Sequence, residues 1–174
     1  MIDKEVILMK IKKIVLAALF AALTCVATFI IRIPSFIGGY INLGDCMVLM
    51  CGWILGPIGF FSAGIGSALA DLSAGYALYA PVTFIIKGLM ALVAALIHKG
   101  LSKKSVLKAN ALGGIVAEII MIVGYFVFEL IIYDFGGAVA NILANAIQGV
   151  VGIIAALFLF VAIKKNIDKI FYDR

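Results

Sequence analysis

The chain has 174 residues, of which 66% are hydrophobic and 13% are charged, and its formal net charge is +5. Soluble domains are about 45–50% apolar and about 25% charged, so this composition excludes a water-soluble globular protein. Because the basic residues stand in short groups between apolar runs, the positive charge indicates membrane topology and gives no support to nucleic-acid binding. We predict a single domain, residues 1–174, embedded in the lipid bilayer.

The first apolar run, about residues 12 to 32, is predicted to be a retained transmembrane helix. A basic segment precedes it, as in a signal peptide, but no A-x-A cleavage site follows, and Thr24 before Cys25 does not fit a lipobox. Small residues recur four positions apart on this helix and permit close contact between helices in lipid, either inside the protein or with a partner. They are Ala17, Ala18, Ala21 and Ala22.

The second apolar stretch, residues 43 to 71, forms either one long span or two short helices. Nothing between Cys46 and Ala70 is charged, which suits a single span. The Gly56-Pro57 pair favours a break, because proline disfavours helix at the residue before it and lacks an N–H donor. We therefore predict two short helices here.

The basic residues support the same choice. Twelve of the fourteen Lys and Arg residues fall in three groups, at the start of the chain, between the fourth and fifth helices, and at the end. Since Lys and Arg concentrate on the cytoplasmic side, all three groups should share that side, which requires two crossings within residues 43 to 71. The sequence therefore predicts an all-α membrane protein with six transmembrane helices, short second and third helices, and both termini cytoplasmic. The later helices are predicted at about residues 81 to 98, 108 to 133 and 137 to 163.

Polar side chains inside the spans are the main indication of a site, because a charge in a span is costly without a partner or a water-filled cavity. Lys87 lies on the fourth helix near its outer end, and Tyr125 and Glu129 share a stripe of the fifth helix with the deeper Glu118. The sixth helix adds a stripe of amides at Asn141, Asn145 and Gln148. These groups either only hold helices together or form an outward-facing pocket for a small solute. For Glu118 a structural role and pairing with lysine both stay open.

Two acids lie at the ends of the short helices. Asp71 ends the third helix, where an acid is unfavourable to the helix dipole and calls for a partner from the protein or a ligand. Asp45 falls in the first turn of the second helix after Asn42, which is a favourable capping position. The outward-facing segments of this topology are 33 to 42, 72 to 80 and 134 to 137.

Taken in order, these residues resemble the S components, the substrate-binding membrane subunits, of energy-coupling factor (ECF) vitamin transporters. The resemblance covers nearly the whole chain in size, helix layout and alanine-rich first helix. Its most specific part is similar to the branch assigned to riboflavin-like, hydroxymethylpyrimidine and vitamin B6 substrates. The runs concerned are Ile41-Asn42-Leu43-Gly44-Asp45, Gly56-Pro57, Gly66-Ser67-Ala68-Leu69-Ala70-Asp71-Leu72, Gly75-Tyr76, Tyr79-Ala80-Pro81 and Lys87-Gly88.

The resemblance implies a protein that captures one vitamin from outside with high affinity. It would then dock, through the Ala-xxx-Ala face of its first helix, onto a transmembrane coupling subunit driven by two cytoplasmic ATPases. The chain has no P-loop, so ATP hydrolysis is expected from those partners. Segment 33 to 42 is expected to act as a lid. No catalytic residue, metal ion or cofactor is expected, and the expected location is the plasma membrane of a prokaryote.

The resemblance also implies a site at the outer parts of helices four to six. Pyridoxine or hydroxymethylpyrimidine, each with one ring, is favoured over three-ring riboflavin, because the single tryptophan, Trp53, lies towards the cytoplasmic end of the second helix. A riboflavin-binding S component is the alternative. The predicted substrate-binding residues are Asn42, Asp71, Tyr76, Tyr79, Lys87, Tyr125, Glu129, Asn141, Asn145 and Gln148.

Two other classes of function stay open, a structural or assembly subunit and an intramembrane enzyme using Glu118, Glu129 and His98. The predicted depths of Glu129 and His98, near opposite faces of the membrane, argue against the enzyme. The three cysteines have no CxxC spacing or histidine partners and are interpreted as small buried hydrophobic residues.

Overall fold

A computed structural model describes residues 4–35 and 40–172 of the chain, and this part is almost entirely helical, as the composition predicts. The helices are α1 Lys4–Ile30, α2 Gly44–Leu55, α3 Gly59–Ala74, α4 Ala80–Leu101, α5 Val106–Ile132 and α6 Phe135–Tyr172. The all-α prediction omits a small antiparallel hairpin formed by β1 Arg32–Pro34 and β2 Tyr40–Asn42. Residues 36–39 of the predicted lid lie outside the described residues.

The chain reverses direction between α2 and α3. Gly56, with φ +67°, opens a single 3-10 turn at Gly56–Ile58 that contains Pro57. Directly after the turn, Gly59 lies so close to the backbone of Cys51 that a Cβ atom would overlap the Cys51 carbonyl group. At the other end of the pair, Tyr40 before α2 contacts Asp71 near the end of α3. The two helices therefore lie side by side, and the break occurs where the Gly-Pro pair predicts it.

Five segments within the described residues are long and apolar enough to cross a membrane, and α2 and α3 together make up the second. They are Ile7–Ile30, Gly44–Ala74, Ala80–Leu101, Val106–Ile132 and Phe135–Lys164. Large apolar side chains point outward from these segments, including Ile14, Ile131 and Phe158 with exposed fractions of 64%, 77% and 79%. Such a surface is suited to lipid and not to water.

The core lies where α2 and α4 meet, with α3 and α5 packed on either side of α4. Gly52 of α2 lies against the carbonyl group of Ala91 in α4, so these two backbones approach closely. Gly66 of α3 does the same against Ala21 of α1. The core side chains without exposed surface include Val48, Leu49, Met50, Met90 and Met121.

Candidate functional site

A polar cavity lies at the end of the bundle where the hairpin and the α3–α4 turn meet α4, α5 and α6. The volume of the cavity is about 40 Å³. Nine of the ten predicted site residues line it, and Lys87 does not; their role in binding stays a prediction. The lining residues are Ser35, Tyr40, Ile41, Asn42, Asp71, Tyr76, Tyr79, Thr83, Tyr125, Glu129, Asn141, Ala144, Asn145 and Gln148.

The turn between α3 and α4 brings Tyr76 and Tyr79 to the cavity. Gly75 ends α3 in the left-handed conformation at φ +85°, and the backbone N–H of Tyr76 donates to the carbonyl oxygen of Asp71 at 2.8 Å. The ring of Tyr76 then lies 4.9 Å from that of Tyr40 on β2, centroid to centroid. Aromatic rings therefore form one wall of the cavity.

Asp71, near the end of α3, has a protein partner in Tyr40. The hydroxyl group of Tyr40 donates to Asp71 Oδ1 at 2.7 Å. Burial, followed by the nearby charge of Asp71, raises the pKa of Tyr40, so that its hydroxyl stays protonated and remains a donor. Asp71 itself is 5% exposed, and among the described residues its Oδ2 atom has no hydrogen-bond partner.

Glu129 on α5 repeats this arrangement. The hydroxyl group of Tyr79 donates to Glu129 Oε1 at 3.3 Å and lies 3.4 Å from the hydroxyl of Tyr133. Burial and these two neighbours raise the pKa of Tyr79. Asn141 of α6 lies beside the Glu129 carboxyl group. Glu129 is 3% exposed, and its Oε2 atom lacks a hydrogen bond within the part of the chain that the structure describes.

The amides of α6 attach the hairpin to the bundle. The hydroxyl group of Ser35 donates to Asn141 Oδ1, and the backbone N–H of Asn42 donates to Gln148 Oε1 at 2.8 Å. Asn42 Oδ1 in turn accepts from the backbone N–H of Gly44 at the start of α2, also at 2.8 Å. The hairpin thus closes over the cavity through the predicted stripe of amides.

Lys87 lies beneath the cavity and not in its wall. Its ammonium group forms an ion pair with Asp45 and lies 3.0 Å from the sulfur atom of Met121. Asp45 has no exposed surface, and its Oδ2 accepts from Gln148 Nε2 at 2.6 Å. Asp45 lies in the first turn of α2 as predicted, but its carboxylate makes no capping hydrogen bond and instead neutralises Lys87.

Glu118 does not pair with Lys87, so the pairing interpretation is wrong for this residue. Its carboxyl group lies against Gly149 and Gly152 of α6, near Asp45. It is 4% exposed, and neither of its oxygen atoms has a hydrogen-bond partner in the described residues.

Sequence reasoning missed several residues at or below the cavity. Thr83, whose hydroxyl lies 3.0 Å from that of Tyr125, is four positions before Lys87 on the same helix face and was identifiable from that spacing. Asp45 was identifiable too, because a lysine buried in a span requires a counter-ion. Ser35, Tyr40 and Ile41 belong to segment 33 to 42, which was predicted as a lid but not as part of the binding site, and no local signal distinguishes Ala144.

The four alanines of α1 line an apolar groove shared with α3. Ala18 and Ala22 are exposed, whereas Ala21 packs against Gly66. The groove also contains Ile14, Cys25, Val26, Phe61, Ser62, Ile65 and Leu69. One edge of the predicted small-residue surface therefore serves internal packing, and the other is open.

His98 lies at the opposite end of the bundle from Glu129. It contacts Asn110, and its ring lies 6.2 Å from that of Phe160, which also packs on Trp53. Among the described residues no three His, Cys, Asp or Glu side chains come together as a metal site. His98 and Glu129 therefore lie apart, as their predicted depths require.

Comparison with known proteins identifies related sequences and a related fold. The sequence model of a family described as "ECF-type riboflavin transporter, S component" matches residues 8–165. A Pyrococcus woesei protein described as an uncharacterized protein in a gap 3′ region is 38% identical over 148 residues, 83% of this chain and 97% of its own. The thiamine precursor transporter HmpT of Lactococcus lactis subsp. cremoris (strain MG1363) is 29% identical over 163 residues, 90% of each chain.

A solved structure of the S component of a bacterial ECF transporter has a similar fold. The TM-score is 0.67 with 21% sequence identity, and the match covers 90% of this chain and 98% of the other. At this identity the likeness concerns the fold alone.

Proposed function

Because the chain belongs to the family of ECF-type riboflavin transporter S components, we propose that it is the substrate-binding membrane subunit of an ECF importer for a small vitamin or vitamin precursor. S components are transporter subunits and not enzymes. The observation that carries the proposal is the cavity, in which buried acids, tyrosines and amides converge at one end of an otherwise apolar bundle. A polar concave site of this kind is suited to a small hydrogen-bonding solute.

A ligand with one ring, hydroxymethylpyrimidine or pyridoxine, is the proposed substrate. Similarity to a thiamine precursor transporter supports the pyrimidine. The single tryptophan, Trp53, packs on Phe160 at the far end of the bundle, away from the cavity, which supports one ring over three. Riboflavin is the second candidate, because the matching family is described by that vitamin.

The proposed topology has six crossings, with both termini cytoplasmic, in the plasma membrane of a prokaryote. The reversal of the chain at Gly56–Ile58 supports separate crossings for α2 and α3. The three basic groups support the orientation, because Lys and Arg concentrate on the cytoplasmic side. In this orientation the cavity opens outward, where a nutrient is captured.

The proposed partners are a transmembrane coupling subunit and two cytoplasmic ATPases, docked through α1. Only 17% of the most apolar stretch of Ile7–Ile30, in α1, is buried within the protein. Its alanines border an exposed apolar groove, and small residues allow another helix to approach closely in lipid. This surface supports α1 as the docking face.

Isothermal titration calorimetry of the detergent-purified protein against hydroxymethylpyrimidine, pyridoxine and riboflavin tests the proposal. We expect tight one-to-one binding of a ligand with one ring. Tight binding of riboflavin alone would contradict the substrate and retain the family function. Absence of binding to all three, by a protein shown to be folded, would count against the transport function as stated.

A further inference from the structure

Two carboxyl groups of the cavity share one arrangement that the fold leaves incomplete. In each, one oxygen accepts from a tyrosine hydroxyl, Tyr40 for Asp71 and Tyr79 for Glu129. The second oxygen of each, Asp71 Oδ2 and Glu129 Oε2, is buried and lacks a hydrogen-bond partner among the described residues. Both residues line the same cavity and are at least nine-tenths buried.

An oxygen in this state has lost its hydration without gaining a donor, which is unfavourable in a buried site. The tyrosines cannot complete either group, because each hydroxyl carries a single proton. Thr83 also lies beside the Asp71 carboxyl group and Asn141 beside that of Glu129, yet the second oxygen of each acid still has no hydrogen-bond partner among the described residues. A molecule in the cavity can supply the missing donors.

The charge of the cavity limits what that molecule is. Asp71 and Glu129 are its two acids, and none of the described lining residues is Lys, Arg or His. Residues 36–39 are Phe, Ile, Gly and Gly and carry no charged side chain. Lys87, the nearby buried cation, is already paired with Asp45 outside the cavity. A ligand that brings N–H donors, or a positive charge, suits this environment, and an anionic ligand does not.

We propose that Asp71 and Glu129 form an amine-recognition subsite, in which Asp71 Oδ2 and Glu129 Oε2 accept hydrogen bonds from the amino group and a ring N–H of an aminopyrimidine. The proposal rests on the proposed function and names its substrate class. An exocyclic amino group supplies two N–H donors, and a ring nitrogen supplies a third when it takes up a proton from solvent. The rings of Tyr40, Tyr76 and Tyr79 provide faces on which a flat heterocycle can stack.

Calorimetry with two matched probes tests the subsite. The first is 4-amino-5-hydroxymethyl-2-methylpyrimidine, and the second is its 4-oxo analogue, in which a carbonyl oxygen replaces the amino group. We expect the amino compound to bind at least about tenfold more tightly, since the oxo compound keeps one ring N–H donor but presents a carbonyl acceptor in place of the two N–H donors of the amino group. Pyridoxine and riboflavin are titrated in parallel.

Asp71→Asn and Glu129→Gln are the informative variants. Each replaces one acceptor oxygen by an NH₂ donor at nearly constant shape. We expect each to lower affinity for the amino probe by about tenfold or more while leaving affinity for the oxo probe unchanged or improved. Glu118→Gln is the matched control, because Glu118 is equally buried and unpartnered but lies outside the cavity; it should keep the preference for the amine.

The outcomes distinguish failure of the proposed subsite from failure of the proposed function. Equal affinity for the two pyrimidines, or parallel losses for both in the variants, would overturn the subsite and leave the transporter assignment standing. Binding of pyridoxine or riboflavin with no binding of either pyrimidine would have the same meaning. If no probe binds, the proposed function fails as well. If a variant does not fold, the comparison of the two probes on the unaltered protein still tests the subsite.

Discussion

The side-chain amide of Gln148 donates to Oδ2 of Asp45 over 2.6 Å, and the same side chain lines the cavity. Its other end accepts from the backbone N–H of Asn42 in the hairpin. A single residue of α6 therefore connects the cavity, the hairpin above it and the buried ion pair below it. Disturbing Gln148 should change the stability of the protein and its ligand affinity together.

Replacement of Gln148 by Met tests this connection. The methionine keeps the approximate volume but removes the acceptor for Asn42 N–H and the donor to Asp45. Leaving such buried groups unsatisfied costs about 1–3 kcal/mol, so we expect a lower midpoint of thermal unfolding as well as weaker binding. Asn145→Ala, in the same wall, is the comparison and should weaken binding with a smaller effect on unfolding. Equal unfolding midpoints for the two variants would contradict the bridging role.

Removing the charge of Lys87 should affect folding more than ligand recognition. Lys87→Met leaves Asp45 as an unpaired buried charge, and breaking a buried pair in this way costs about 3–5 kcal/mol. We expect poor recovery of folded protein by size-exclusion chromatography. The double variant with Asp45→Asn removes both charges and should recover much of the loss. A well-folded Lys87→Met protein that has only lost ligand affinity would instead indicate direct contact between Lys87 and the ligand.

Tyr40→Phe removes one hydroxyl group and leaves the ring. Asp71 then loses the Tyr40 donor to Oδ1 and keeps only the neighbouring Thr83 hydroxyl, while its Oδ2 atom still has no partner among the described residues. We expect affinity for an aminopyrimidine to fall by about tenfold, measured by calorimetry, because the carboxylate is no longer held in position. Tyr76→Phe, which keeps the ring packed against Tyr40, is the matched control. Identical affinities for the two variants would exclude a role for the Tyr40 hydroxyl.

A phosphate ester of the pyrimidine should bind far more weakly than the alcohol. Two acids line the cavity, and none of the described lining residues offers a cation to a phosphate group. Competition calorimetry between the two compounds measures the difference, which we expect to exceed about a hundredfold. Comparable binding would show that the hydroxymethyl group projects out of the cavity into solvent.

Docking through α1 should be separable from ligand binding. Ala18→Leu and Ala22→Leu add bulk to the exposed edge of the α1 groove, far from the cavity. Co-expression with a tagged coupling subunit and its ATPases should then recover less of the variant chain, while its ligand affinity is unchanged. Leu23→Met, exposed on α1 outside that groove, is the control. Undiminished recovery of both alanine variants would place the docking face elsewhere.

Local signals in the sequence were sufficient to predict the helices. Long apolar runs predict α1, α4, α5 and α6, and the Gly56-Pro57 pair predicts the break between α2 and α3, because these features act within one or two turns of the chain. α1 begins earlier and α6 ends later than predicted, since hydropathy does not detect the polar ends of a helix. The pairing of strands as short as β1 and β2 has no comparable local signal.

The partners of the buried charges depend on tertiary structure. Lys87 was correctly recognised as a residue needing compensation, but two acids, Asp45 and Glu118, were available to it. The packing of α2 and α5 against α4 decides which acid pairs with Lys87. Its partner, Asp45, lies 42 residues away in the sequence. The same is true of Tyr40 and Asp71, which meet only because α2 and α3 fold back on each other.

The separation of Asp45 and Lys87 has a consequence for how the protein is made. During synthesis α2 leaves the ribosome before α4, so Asp45 reaches the translocon while Lys87, 42 residues later in the chain, is still inside the ribosome. The α2–α3 hairpin must therefore wait without its counter-ion until α4 arrives. Assembly of this chain should accordingly stall at nascent lengths that end before Lys87, and arrest-peptide measurements of force on the nascent chain would detect the point at which the pair closes.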